Sequence, residues 1–176
     1  MQPYTVLTVP DPRLRQKASP IEKVTDEIRD IFERMIITMD EEDGIGLAAT
    51  QVGIDKRLVV MDVHDHEEGE CGGERCQLYR LANPEIIWRS DEEEQSSEGC
   101  LSVPGQYAEV TRAKGIKIQY LDENNEQQTL EATGLLADCI QHEIDHLDGI
   151  LFIDHLSALK RKMLTQKAKK VVALQD

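Results

Sequence analysis

Residues 141–149 read QHEIDHLDG, with His142 and His146 four positions apart and Glu143 directly after the first histidine. On an α-helix, positions i and i+4 lie on one face about 5–6 Å apart, so both imidazoles can reach one small cation. The same spacing suits an ordinary helix whose polar side faces water. Two ligands also fall short of a hydrolytic metal site, which takes three from the protein and keeps one position open. The helix itself is well marked: it is expected to start near Gly134 and to stop at Gly149, a residue suited to a C-terminal cap. At about 100° per residue, Leu136, Ile140, Ile144 and Leu147 fall on one side. Leu135, Cys139, His142 and His146 share the other, and Glu143 projects between them. One face is expected to enter a core while the other looks onto a site.

Working outward, a first helix follows Thr25, an N-cap residue with Asp26 and Glu27 in the first turn, where the helix dipole favours negative charge. Ile28, Ile31, Phe32, Met35, Ile36 and Met39 then make one apolar stripe, and EEDGIG (41–46) ends the helix. Short β-rich runs come next: RLVVMDV (57–63), LYRLANPEIIW (78–88), QYAEVTR (106–112), GIKIQYL (115–121) and QQTLEAT (127–133), the last two separated by the turn-like DENNE. The acidic SDEEEQSSE (90–98) reads, on its own, as a solvated loop. A helix, several strands and a second helix, without βαβ alternation, imply an α+β fold.

The length of 176 residues suits one domain with a core of its own, and the formal net charge of −14 argues against a general or sequence-specific nucleic-acid binder. That charge is unevenly spread. Residues 158–176 carry Lys160, Arg161, Lys162, Lys167, Lys169 and Lys170 against Asp176, net +5, which leaves −19 for residues 1–157. The expected division is therefore a body over 1–157 and a basic helical tail over 158–176, with Leu159, Met163 and Leu164 facing the body. No basic segment followed by an apolar run opens the sequence, and no apolar stretch is long enough for a membrane span, so a cytoplasmic location is expected. In that setting Cys71, Cys76, Cys100 and Cys139 read as thiols or ligands, not disulfides.

Two further stretches bear on the histidine helix. EGCLS (98–102) sets Cys100 beside Gly99, where the chain can approach a ligand closely. GIGLAATQ (44–51) has paired glycines that leave the backbone accessible, followed by the amide of Gln51. Together with QHEIDHL, in this order and at these separations, they resemble the three motifs of the peptide deformylases, and the likeness runs from VPDPRLR (9–15) to LFIDHLS (151–157). The resemblance implies an α+β fold in which antiparallel β-sheets cradle the His142/His146 helix, and removal of the formyl group from the N-terminal formylmethionine of new peptides, with release of formate. It implies a divalent metal bound by Cys100, His142 and His146, with ferrous iron favoured among zinc, nickel, cobalt and iron, all of which suit thiolate and imidazole. It also assigns the Leu101 backbone N–H and the Gln51 amide as an oxyanion hole. Glu98 and Arg112 would brace the Cys100 loop, which matters only if the pair is shielded from water.

The chemistry is coherent on its own terms. A thiolate and two imidazoles leave a fourth position open for water, and Glu143, next to a ligand, is placed to move that water's proton to the departing amine. Gly44 and Gly46 would let an extended peptide lie along the backbone as an added strand. Leu135, Cys139 and Ile45 are candidates for an apolar methionine pocket, and core packing is the competing reading for each. Asp138, one turn before His142, stands where an apolar lining is expected. Asp145 is a further candidate acceptor for an imidazole N–H. The stretch HDHEEGECGGERCQ (64–77) is longer than the resemblance leads one to expect; its His64, His66, Cys71 and Cys76 suit a hairpin tip better than a second metal site.

Two other readings compete. A zinc peptidase with HExxH takes a downstream third ligand, and His155 lies nine residues after His146, off the HExxHxxGxxH spacing. An inactive module docking on the ribosome would use the basic tail, which is also where an active enzyme would meet ribosomal RNA.

Overall fold

A computed structural model of the chain describes residues 1–63 and 77–175. The expectations placed on His64, His66, Cys71 and Cys76 lie outside the described residues. Helix α1 spans Asp26–Glu41; Thr25 is extended and its hydroxyl accepts from the Ile28 N–H at 3.4 Å, the cap expected from sequence. Its stripe of Ile28, Phe32, Met35, Ile36 and Met39 is buried.

A five-stranded antiparallel sheet is ordered β1-β2-β3-β6-β7, from β1 (Gly46–Ala48), β2 (Leu58–Asp62), β3 (Leu78–Arg89), β6 (Gly115–Leu121) and β7 (Gln127–Thr133). Strand β2 shows why the run LVVM has no polar alternation. Leu58 and Val60 join the α1 core, while Val59 and Met61 join a second core with Ile140, Ile144 and Leu147 of helix α2 (Gly134–Leu147). Alternate side chains point to opposite faces, and both faces are covered by a helix. The sheet thus holds α2 by its apolar side and leaves the histidine side turned away.

Strands β4 (Glu93–Cys100) and β5 (Val103–Ala113) form a separate two-stranded ribbon, registered from Glu93 opposite Ala113 to Gly99 opposite Tyr107. This corrects the loop reading of SDEEEQSSE. The residues along β4 that are not fully exposed are Ser96, Glu98, Gly99 and Cys100, so the strand has no apolar alternation to detect. Tertiary pairing with β5 made the strand, not its composition.

Helix α2 stops where expected. Gly149 has φ +76°, and a side chain there would put its Cβ 2.5 Å from the Arg15 carbonyl oxygen. A third helix, α3 (Ala158–Ala173), is capped by the Ser157 hydroxyl and packs on β5. Its contact face matches the expected one only in part: Leu164 is buried as expected, but with Ala168, and Val171 lies against Gly105. Leu159 is 71% exposed and Met163 46% exposed, so neither faces the body as expected. With lysines around much of the helix, the apolar stripe is narrow, and small Ala168 carries the close approach. Among the described residues, no helix is long and apolar enough to cross a membrane.

Candidate metal centre and peptide cleft

Two elements bring three side chains to one point. Helix α2 contributes His142 and His146, and the end of β4 contributes Cys100; their ligand atoms all lie within 4.8 Å of one another. His146 Nε2 is 3.2 Å from Cys100 Sγ and 3.2 Å from His142 Nε2. His142 Nδ1 donates to the Glu98 carboxylate at 2.8 Å. A carboxylate only accepts, so Nδ1 carries a proton and Nε2 is the nitrogen turned to the cluster. Two imidazole nitrogens and a cysteine sulfur form a donor set that fits a divalent cation, and the carboxylate behind His142 is the partner a ligating imidazole requires. The His142 ring also stacks on Phe152, with centroids 6.2 Å apart.

Glu98 is held in turn. Arg112 forks onto it with bonds of 2.6 and 2.9 Å, and the pair is shielded, with side chains only 4% and 9% exposed. Burial pushes the Glu98 carboxyl up, but the bonds from His142 and Arg112 outweigh it and hold it down at about 2. Arg112 reaches further to Asp145 at 3.0 Å, and Asp145 accepts from His155 at 2.8 Å. The candidate role of Asp145 is therefore corrected in part: it meets the imidazole of His155, not that of His142 or His146. His155 belongs to this outer chain and lies apart from the metal cluster, which removes the one downstream histidine a peptidase reading had to work with.

Glu143 lies beside the cluster, 4% exposed, and its Oε2 has no hydrogen-bond partner among the described residues. Burial pushes its carboxyl up to about 7, with Glu98 also raising it against the opposing pull of His142 and Arg112. Gly46 is what makes room for it. A Cβ on Gly46 would stand 2.6 Å from Glu143 Oε1 and 2.9 Å from Cys139 Sγ. Gln51 is fixed on both sides of its amide: Oε1 accepts from the Ala48 N–H at 2.9 Å, and Nε2 donates to Ser102 Oγ at 3.1 Å and Cys100 Sγ at 3.6 Å.

These groups open onto a cleft of about 710 Å³. Gly44, Ile45 and Gly46 line it on one side, Ser96 to Leu101 on another, and Leu135, Asp138, Cys139 and His142 from α2. Among the described residues, strand β1 is the edge of its sheet, paired only to β2. The Ile45 carbonyl is taken by the Asp62 N–H at 2.9 Å, so by antiparallel alternation the backbone of Gly46 faces the free edge. Every site residue named from the sequence is thus brought to this cleft or stands directly behind it. Cys139 is buried against Gly46, whereas Ile45 and Leu135 are exposed large apolar residues at the cleft.

Sequence reading missed four neighbours. Ser102 anchors Gln51, Thr50 Oγ1 donates to the His146 carbonyl at 3.1 Å, Phe152 backs His142, and Ser96 Oγ donates to Asp138 Oδ2 at 2.9 Å. Ser102 and Thr50 lie inside the quoted motifs, where their position was the available signal. Ser96 and Phe152 carried none.

Comparison with known proteins agrees with this geometry. The polypeptide deformylase family model matches residues 3–162. The peptide deformylase of Chromohalobacter salexigens is 49% identical over 177 residues, covering 100% of this chain and 99% of that protein. The crystal structure of peptide deformylase from Ehrlichia chaffeensis superposes with a TM-score of 0.91 at 40% identity, covering 98% of both chains. A second structure from that organism, in complex with actinonin, gives a TM-score of 0.88 at 43% identity over 97% of this chain and 98% of the other. Likeness of this extent shows that the chain belongs to the polypeptide deformylase family.

Proposed function

We propose that this deformylase cleft, lying between the β1 edge and the Cys100 loop, removes formyl from the N-terminal formylmethionine of new peptides with Cys100, His142 and His146 holding the metal. The hydrolase activity on N-formyl peptides and its need for a divalent metal follow from family membership; the residue roles are our reading. Ferrous iron is the metal we favour, since a thiolate with two imidazoles accepts it, although zinc, nickel and cobalt share that donor chemistry. When bound, the cation supplies Lewis-acid chemistry, making water a usable nucleophile near neutral pH.

The chain's own groups do the rest. Gly46 offers backbone to an extended peptide on the free edge of β1, with Gly44, whose N–H is taken by the Met39 carbonyl, beside it at the cleft wall, and this orients the formyl group toward Glu143. Glu143 takes the proton of the attacking water and returns it to the amine that departs, a task suited to a carboxyl near 7. Charge gathers on the formyl oxygen as its carbon becomes tetrahedral, and the Gln51 Nε2 and the Leu101 backbone N–H donate to it. Ala48 and Ser102 hold the Gln51 amide in place, and the second Nε2 hydrogen, which meets Cys100 Sγ at a long 3.6 Å, is the one that turns to the formyl oxygen. Ile45, Leu135 and Cys139 give the methionine side chain apolar contact. Glu98 and Arg112 keep His142 in one tautomer and one orientation.

The observation that carries the reading is the buried Glu143 carboxylate, with an unpartnered oxygen, beside a convergent Cys–His–His cluster at the head of a peptide-sized cleft. The test is formate release from formyl-Met-Ala-Ser, with the unformylated peptide as control. We further propose that the chain works in the cytoplasm, with residues 1–157 carrying out the chemistry and the basic tail over 158–176 meeting ribosomal RNA, which an acidic body otherwise repels. Because α3 packs on β5 through Leu164 and Ala168, that idea is tested by exchanging exposed Lys160, Arg161 and Lys167 for glutamine, not by removing the helix. Loss of salt-sensitive ribosome binding with peptide turnover unchanged is the expected result.

A further inference from the structure

The Ser96–Asp138 hydrogen bond stands in the cleft where a pocket for methionine would be apolar throughout. Helix geometry places it. Asp138 precedes His142 by one turn, about 6 Å along the axis of α2. Leu135, Asp138 and Cys139 line the cleft beside His142 and Glu143, so a peptide whose formyl group sits at the metal cluster has these α2 residues as the nearest lining for its first side chain. Ser96 donates to one carboxylate oxygen at 2.9 Å, and a carboxylate with one such bond keeps acceptor capacity on the other oxygen. Among the described residues no lysine or arginine lines the cleft, so no cation in the lining itself takes up that capacity. A thioether cannot take it up either, because it has no hydrogen to donate.

We propose that the Ser96–Asp138 pair makes the first-side-chain pocket a polar reader, extending deformylation to formyl peptides that begin with a donor-bearing side chain of methionine's length. Glutamine is the closest such residue, since its terminal NH₂ falls where the methionine methyl would, and lysine offers an ammonium one bond further on. The inference rests on the deformylase reading above and adds a substrate class to the same site. Methionine remains accepted through Ile45, Leu135 and Cys139. What changes is the margin by which polar first residues are rejected, because a pocket with an open acceptor costs a thioether one unmade bond and returns one to an amide.

The test is kcat/KM of the nickel-loaded full-length protein on formyl-Met-Ala-Ser, formyl-norleucyl-Ala-Ser, formyl-Gln-Ala-Ser and formyl-Lys-Ala-Ser, for the natural sequence, Asp138→Leu and Asp138→Asn. The expected result is that the preference for methionine over glutamine rises about tenfold or more in Asp138→Leu, with norleucine tracking methionine. Asp138→Asn keeps the shape and the Ser96 contact, so it remains informative if the leucine variant folds poorly; it should lose activity on the lysine peptide selectively. Methionine-to-glutamine and methionine-to-lysine ratios that agree within twofold across all three proteins would overturn the inference while leaving the deformylase reading intact. Absence of formate from every peptide, formyl-Met-Ala-Ser included, would overturn both.

Discussion

Replacing Gly46 by alanine tests the cleft at its tightest point. The added Cβ would stand 2.6 Å from Glu143 Oε1, 3.1 Å from its Cδ and 2.9 Å from Cys139 Sγ. Ordinary carbon contacts begin near 3.5 Å, so the carboxylate or the strand must give by something approaching 1 Å. Both Glu143 and Cys139 are buried at the floor of the cleft, so any shift carries the carboxylate into the space the substrate needs. Overpacking of this kind costs about 1–3 kcal/mol of stability. A reacting group displaced by about 1 Å costs on the order of 100-fold in rate. Gly46→Ala should therefore fold with a modestly lowered urea midpoint, bind metal in full and lose about two orders of magnitude in kcat. Adding Cys139→Ala removes one of the two clashes. It should return part of the stability while leaving turnover low, because the contact with Glu143 persists. Turnover near the natural level in Gly46→Ala at normal stability would refute the placement of Glu143 against this strand.

Other consequences are as definite. Cys100→Ser exchanges a soft ligand for a hydroxyl that stays protonated, so metal content measured by mass spectrometry should fall well below one equivalent, and full occupancy with activity would mean a different third ligand. Arg112→Ala leaves Glu98 buried beside His142 without its cation. Breaking a shielded pair from one side costs about 3–5 kcal/mol, and loss of support behind a ligand weakens metal affinity by about 10- to 100-fold; chemical unfolding and metal titration read the two effects separately. Acid stability follows from Glu98 as well. Its carboxyl stands at about 2 in the folded chain against an ordinary 4.5, a gap worth about 3 kcal/mol at 1.36 kcal/mol per pH unit. That stability is present in full above pH 4.5 and is lost as pH falls toward 2. Glu98→Gln, less stable at neutral pH, should show a flatter decline across that window, and identical slopes would contradict the assignment.

Some of this was legible in the sequence because the relevant signals are local. The i, i+4 histidines, the Thr25 cap and Gly149 each constrain a few neighbouring residues, and α1 and α2 appear where those residues put them. The two-faced burial of β2 was also visible as an unbroken apolar run. What was not legible depends on partners distant in the chain. Strand β4 looks like a loop because its inward residues are Ser96, Glu98 and Cys100, each there for a contact with α2, β5 or His146. The face of α3 was legible only at Leu164, because Leu159 and Met163 are apolar without being covered, whereas small Ala168 and Val171 make the contact with β5. Asp145 was seen as a possible support for a ligand, but its partners Arg112 and His155 come from β5 and the segment after α2, which spacing alone does not reveal. That Cys100, His142 and His146 could meet was legible through their motifs, and the structure brings the three together. The hydrogen bonds that hold them were not legible.

The claim at the centre of the account is that Glu143 moves the proton while Cys100, His142 and His146 hold the metal. Metal stoichiometry and formate release, measured on one sample of Glu143→Ala purified without oxygen, test both halves together. The account predicts one equivalent of metal, as in the natural sequence, with turnover of formyl-Met-Ala-Ser lower by about 100- to 10,000-fold. Turnover close to the natural level, or a protein that has lost its metal along with its activity, would contradict it.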